Sequence, residues 1–156
     1  MNSNNKDNYY MMEAYKEALI GYSLNEVPIG CVIVCGDEIV GRGHNLRHTN
    51  KCSIDHAEMI AIREASKKLN RWILSDCTLY VTVEPCLMCA GAIVQARIPR
   101  LVYGTHEERF GCALEIFETA FEKQGHKVTI DSGYLEEDIS KLMKSFFQKI
   151  RNENKN

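Results

Sequence analysis

No apolar run in this chain is long enough to cross a membrane. The longest, Leu87 to Val94, stops at Gln95, whereas a spanning helix needs about 20 residues. The opening residues, MNSNNKDN, carry no apolar segment, so a secretory leader is not expected. There is no excess of either charge. Lys and Arg number 19 against 21 Asp and Glu, a net charge of −2, so any nucleic-acid partner must be met by a local basic patch. A disulfide framework is also missing. The seven cysteines are an odd number, scattered at positions 31, 35, 52, 77, 86, 89 and 112. They read as reduced thiols of a cytoplasmic protein, two of them spaced as a metal pair. No internal repeat, no low-complexity tract beyond the Asn-rich ends and no linker divides the chain.

What is present suits a soluble α/β domain. Of 156 residues, 45% are hydrophobic and 26% charged, enough to bury one sizeable core. A single domain over residues 1–156 is expected, with 1–7 a flexible polar tail. Helical spacing of Met11, Tyr15, Ala18 and Tyr22 predicts a helix from Asn8 to Ser23. Ile29 to Cys35 and Glu38 to His44 read as an antiparallel pair turned at Gly36-Asp37, the second less regular because of Gly41 and Gly43. Asn45 to Asp55 has no period and reads as a loop. A helix over 56–69, a strand over 78–83, a helix from Pro85 to Arg97 and a strand over 100–104 follow. Thr105 to Cys112 reads as a charged loop, 113–122 as a short helix and 127–130 as an edge strand. Leu135, Ile139, Leu142, Met143, Phe146, Phe147 and Ile150 form the apolar stripe of a last helix. Acidic residues open that helix and basic ones close it, as the helix dipole favours. A hairpin followed by alternating helices and strands implies a mixed sheet with helices on both faces.

Two short stretches carry the chemistry, His56-Ala57-Glu58 and Pro85-Cys86-Leu87-Met88-Cys89. Cysteines three apart at a helix start share a face, and the helix N-terminus favours the thiolates a metal requires. His56, at another helix start, supplies a third donor. Three protein ligands mark a catalytic zinc site rather than a closed structural one, and no second C-x-x-C or H-x-H pair is there to make a fourth. Zinc so held lowers the pKa of a bound water towards neutrality. Glu58 then stands as the proton carrier, close to that water without being a ligand. Either half alone reads as readily as a redox or packed C-x-x-C, or as a capping histidine. Both together point to a metal.

The combined pattern H-x-E…P-C-x-x-C is the signature of zinc-dependent nucleobase deaminases. With Glu26-Val27-Pro28-Ile29-Gly30, the run LYVTVEPCLMCAGA over 79–92, Arg97-Ile98-Pro99-Arg100 and Val102-Tyr103-Gly104, the chain resembles the bacterial tRNA-specific adenosine deaminases from about Asn8 to Arg151. The resemblance implies a three-layer α/β/α sandwich around a five-stranded mixed sheet, cytidine deaminase-like. It implies one Zn²⁺ per chain on His56, Cys86 and Cys89, with Glu58 as acid and base. It also implies a homodimer and conversion of the wobble adenosine of tRNA to inosine. Carried over by position, Asn45 and the backbone of Ala57, Val83 and Glu84 lie near the target base. Glu107, Phe147 and Arg151, with Phe146, lie against the anticodon loop, a setting in which unpaired bases are flipped out and stacked on aromatic side chains.

Each contact has a plainer reading beside it. Asn45 serves equally as a turn residue, one of Phe146 and Phe147 as core, and Lys141, Lys144, Lys149 and Arg151 as a solvated face. Asp55, where the family commonly has Ala, reads as a helix cap or as a partner orienting His56, with the cap preferred. Arg109, Phe110 and the stretch Cys112 to Phe117 depart from the family pattern in the segment that shapes the pocket mouth. Two rivals therefore accompany the tRNA reading. One is a deaminase of a free nucleobase, nucleoside or nucleotide of the guanine or cytidine type, with which HAEMIAIREA over 56–65 is compatible. The other is a non-catalytic zinc or RNA-binding protein, which has no use for Glu58.

Overall fold

A computed structural model describes residues 2–155. Five strands form one sheet in the order β2-β1-β3-β4-β5. They are β1 (Gly30–Cys35), β2 (Glu38–His44), β3 (Cys77–Val83), β4 (Arg100–Thr105) and β5 (Thr129–Ser132). β1 runs antiparallel to β2 and β3, whereas β3, β4 and β5 are mutually parallel. The helices are α1 (Ser3–Ser23), α2 (Arg47–Asn50), α3 (Ala57–Leu69), α4 (Leu87–Gln95), α5 (Ala113–Gln124) and α6 (Glu136–Asn154). Among the described residues no helix is long and apolar enough to cross a membrane.

Alternation along the strands splits the core into two layers. Cys31, Ile33, Leu79, Val81 and Leu101 face a cluster built with α3, α4 and α5. Val32, Val34, Tyr80 and Val102 face Tyr10, Met11 and Ala14 of α1 and Ile139 of α6. This period of two on a sheet covered on both sides explains why β1 and β3 read as nearly continuous apolar runs. The expected five-stranded α/β/α sandwich is the fold observed.

The glycines that made β2 look irregular have a packing role. A Cβ on Gly41 would lie 2.3 Å from the Ala61 carbonyl oxygen, and one on Gly43 2.3 Å from that of Ala57. Helix α3 therefore rests directly on the backbone of β2, and Gly43 lies under its first turn. Gly43→Ala should lower stability by about 1–3 kcal/mol, as overpacking does. It should also reduce turnover in the fraction that folds, because the displaced turn carries Glu58. Urea titration and a rate normalised to folded protein check both.

The first helix starts earlier than the expected Asn8. α1 begins at Ser3, with the Asn2 side chain accepting the Asn5 N–H at 2.9 Å. Asp7 is buried and bidentate to Arg100, at 2.9 and 2.8 Å, and accepts the Tyr80 hydroxyl at 2.6 Å. Burial pushes its carboxyl up, but the Arg100 and Tyr80 hydrogen bonds outweigh that and hold it below the usual carboxylate range. Asp7 is held by a partner 93 residues away, which local polarity does not reveal. The other departures are small. α2 forms a single turn inside the expected 45–55 loop, and β5 is shifted to Thr129–Ser132.

Candidate active site

The site lies where β3 ends and two helices begin. His56 is the N-cap of α3 and Cys86 the N-cap of α4, both in extended backbone, and neither caps its helix with its side chain. Their side chains turn instead towards a common point. The Sγ atoms of Cys86 and Cys89 lie 3.7 and 3.6 Å from His56 Nδ1. The cysteines thus flank the start of α4 rather than both lying within it, since the helix begins at Leu87 and not at Pro85.

These separations fit a tetrahedral zinc ion. Bonds of about 2.3 Å to sulfur and 2.0–2.1 Å to nitrogen place neighbouring S and N donors about 3.6 Å apart. A second grouping, Cys35, Asp76 and Cys77, lies at the other end of β1 and β3. There Arg71 already holds Asp76, at 2.7 and 2.9 Å, so a cation occupies the carboxylate.

Electrostatics single out the first cluster. The Cys89 thiol beside it and the His56 ring pull the Cys86 thiol down to about 3, against the opposing effect of burial. Cys89 is pushed well up by the same sulfur neighbour, by burial and by Glu58. The Cys86 hydrogen bond raises His56. Glu58 is only 4% exposed, and burial pushes its carboxyl up. So many acidic groups around one point suit a divalent cation at their centre.

Beside the donors opens a cavity of about 340 Å³ lined by Asn45, His56, Ala57, Glu58, Val83, Glu84, Cys86, Glu107 and Phe147. An adjoining cavity of about 330 Å³ shares Val83, Glu107 and Phe147 and reaches Arg151 and Lys144. Of the residues expected to hold the metal, carry the proton or meet the substrate, all but the fully buried Cys89 border one of the two spaces. Asn45 is 6% exposed, and its Oδ1 accepts the Arg47 N–H at 3.0 Å. It is a turn residue that also lines the cavity. Phe146 is core and Phe147 is exposed. Asp55 does not cap α3; it accepts from the Asn50 amide at 2.9 Å, tying the ends of the 50–55 loop together.

Two buried carboxylates shape this space, Glu26, which sequence reading missed, and Glu84, whose side-chain role it missed. Glu26 is wholly buried and accepts the backbone N–H groups of His48 and Thr49, at 3.2 and 2.7 Å, and the Thr49 hydroxyl at 2.7 Å. It fixes α2 and hence Arg47, another cavity residue. Glu84 was expected to matter through its backbone. Its side chain pairs with His106 and accepts the N–H groups of Glu107 and Ala113, at 3.2 and 3.4 Å. It thereby staples the 105–113 segment over the site. A Cβ on Gly111 would lie 2.5 Å from that carboxylate, so only glycine fits there. Val27, Ile29, Phe110 and Met143 complete the apolar lining.

Fold and site together define the class, a deaminase. The family model of MafB19-like deaminases matches residues 4–151. A tRNA-specific adenosine deaminase of Streptococcus pyogenes (serotype M18) is 46% identical over 149 residues, covering 95% of this chain and 94% of that one. One from Bacillus subtilis (strain 168) is 44% identical over 151 residues, covering 96% and 94%. A solved structure from work on A-to-I editing by tRNA:A34 deaminases at the wobble position superposes with a TM-score of 0.77 at 34% identity, covering 86% of this chain and 98% of that one. The chain belongs to the tRNA-specific adenosine deaminase family.

Proposed function

We propose that this protein hydrolyses the wobble adenosine of tRNA to inosine, releasing ammonia. Two cysteine sulfurs 3.6 and 3.7 Å from His56 Nδ1, beside a buried glutamate at the edge of a cavity of about 340 Å³, carry the reading. His56, Cys86 and Cys89 hold one zinc ion per chain, and zinc there supplies the Lewis acidity that readies water for attack at neutral pH. Glu58 carries one proton from the attacking water to the ring nitrogen, then takes the second from the hydroxyl now on carbon 6 and delivers it to the leaving amine, so that ammonia departs as the carbonyl forms. Asn45, Ala57, Val83 and Glu84 frame the base, and water adds at carbon 6 before the amino group departs.

The anticodon loop lies across the second cavity, against Glu107, Phe147 and Arg151. Lys144 and Arg151 give that cavity the local positive charge that the net charge of −2 does not supply. Exposed Leu87, Leu114 and Phe121 on α4 and α5 favour a homodimer. An odd number of scattered cysteines, two of them assigned to zinc, makes no disulfide framework and supports a cytoplasmic setting.

Purified protein is offered an arginine tRNA anticodon stem-loop, free guanine and cytidine, and inosine and ammonia are measured. Inosine in the stem-loop is expected. Ammonia from guanine or cytidine alone would replace the reading with that of a free-base or nucleoside deaminase. No turnover from zinc-loaded protein would leave a silent zinc or RNA-binding protein.

A further inference from the structure

Phe110 is 62% exposed, although it lines the same cavity as His56 and Glu58. Across that cavity Phe147 of α6 is 42% exposed. Two large rings from separate elements thus stand open to water at one mouth, where burial is the favoured fate of such surface. The guanidinium of Arg109 lies over the Phe110 ring, 5.0 Å from its centroid.

The ring is also held in place. Its segment is fastened by Glu84 through Glu107 and Ala113. The Gly111 N–H donates to the Glu107 carbonyl at 3.0 Å, and Gly111 pairs with Cys86, itself a donor of the site. A ring so fixed loses little freedom on binding a ligand. The ligand's chemistry follows from the neighbours. Glu107 and Glu108 precede the ring in the chain and add negative charge that disfavours a phosphate, and Glu107 accepts the backbone N–H of Arg109 at 2.9 Å. A flat, uncharged face is left as the fitting partner, which in a nucleic acid is a base.

We infer that Phe110, backed by Arg109, is a stacking platform for the unpaired base next to the one in the catalytic cavity. This rests on the tRNA reading above, within which it assigns a recognition subsite to a residue that departs from the family pattern. Phe110→Ala should raise KM for the stem-loop about tenfold, with kcat little changed, as loss of one base–aromatic stack does. Phe110→Tyr should restore KM. In parallel, 2-aminopurine placed beside the wobble position should be quenched on binding wild-type protein and stay bright with Phe110→Ala.

Unchanged KM and unchanged quenching in Phe110→Ala would overturn the platform. So would a drop from dimer to monomer in that variant, which would show that a second copy of the chain covers the ring. Wild-type protein that makes no inosine would instead refute the proposed function, and that result is in hand before any variant is compared.

Discussion

Glu58→Gln is expected to lower kcat for stem-loop deamination by about 10²–10⁴-fold, the usual worth of a positioned proton carrier. Glutamine keeps the shape and the hydrogen-bonding reach of the side chain but cannot take up a proton at neutral pH. Glu58 is at the second position of α3, two residues beyond His56, and lines the cavity without being one of the three donors. Zinc content should therefore stay near one per chain. Stability should not fall, because burial already pushes this carboxyl towards its neutral form, and a neutral amide removes the cost of burying a charge. Unfolding at or above the wild-type temperature together with collapsed turnover is the combined signature. Turnover near the wild-type rate in a zinc-loaded variant would remove Glu58 from the proton path.

That prediction was readable from the sequence because its parts are local. His56 and Glu58 are two residues apart, Cys86 and Cys89 three apart, and each pair stands at a helix start that periodicity and Pro85 mark. The sheet was legible for a similar reason. β1 and β3 are buried on both faces, and β-branched runs such as Val32 to Val34 announce that without any partner being known. The last helix showed itself by its stripe, since Ile139 and Phe146 are both buried.

What stayed hidden depends on contacts between distant segments. Asp7 looks like tail composition until Arg100 is brought to it, and Tyr80 must arrive as well. Gly41 and Gly43 weaken a strand by propensity, yet they are what lets α3 approach its backbone. Glu26 and Glu84 are ordinary acids in the sequence. They become anchors only because burial leaves backbone N–H groups of remote loops needing acceptors. Asp55 was misassigned because a short acid before a helix usually caps it. Here the N-cap position falls to His56, whose side chain faces the cysteines.

Cys89→Ser should abolish turnover and strip the chain of zinc. Cys89 has no exposure and stands at the third position of α4, 3.6 Å from His56 Nδ1. Serine fits the space, but its hydroxyl is not a thiolate and leaves only His56 and Cys86 as competent donors, one short of the three that catalytic zinc sites retain. Stability separates loss of metal from damage to the core. A ligand present at a thousandfold its Kd stabilises the folded state by about 4 kcal/mol. At roughly 2–4 °C per kcal/mol for a chain of this size, zinc-loaded wild-type protein should melt on the order of 10 °C above the same protein stripped by a chelator. The variant should melt near the stripped wild type and respond to neither zinc nor chelator, because the substitution and the chelator remove the same interaction. Full zinc occupancy of Cys89→Ser, with the wild-type response to chelator, would show that the three-donor assignment is wrong.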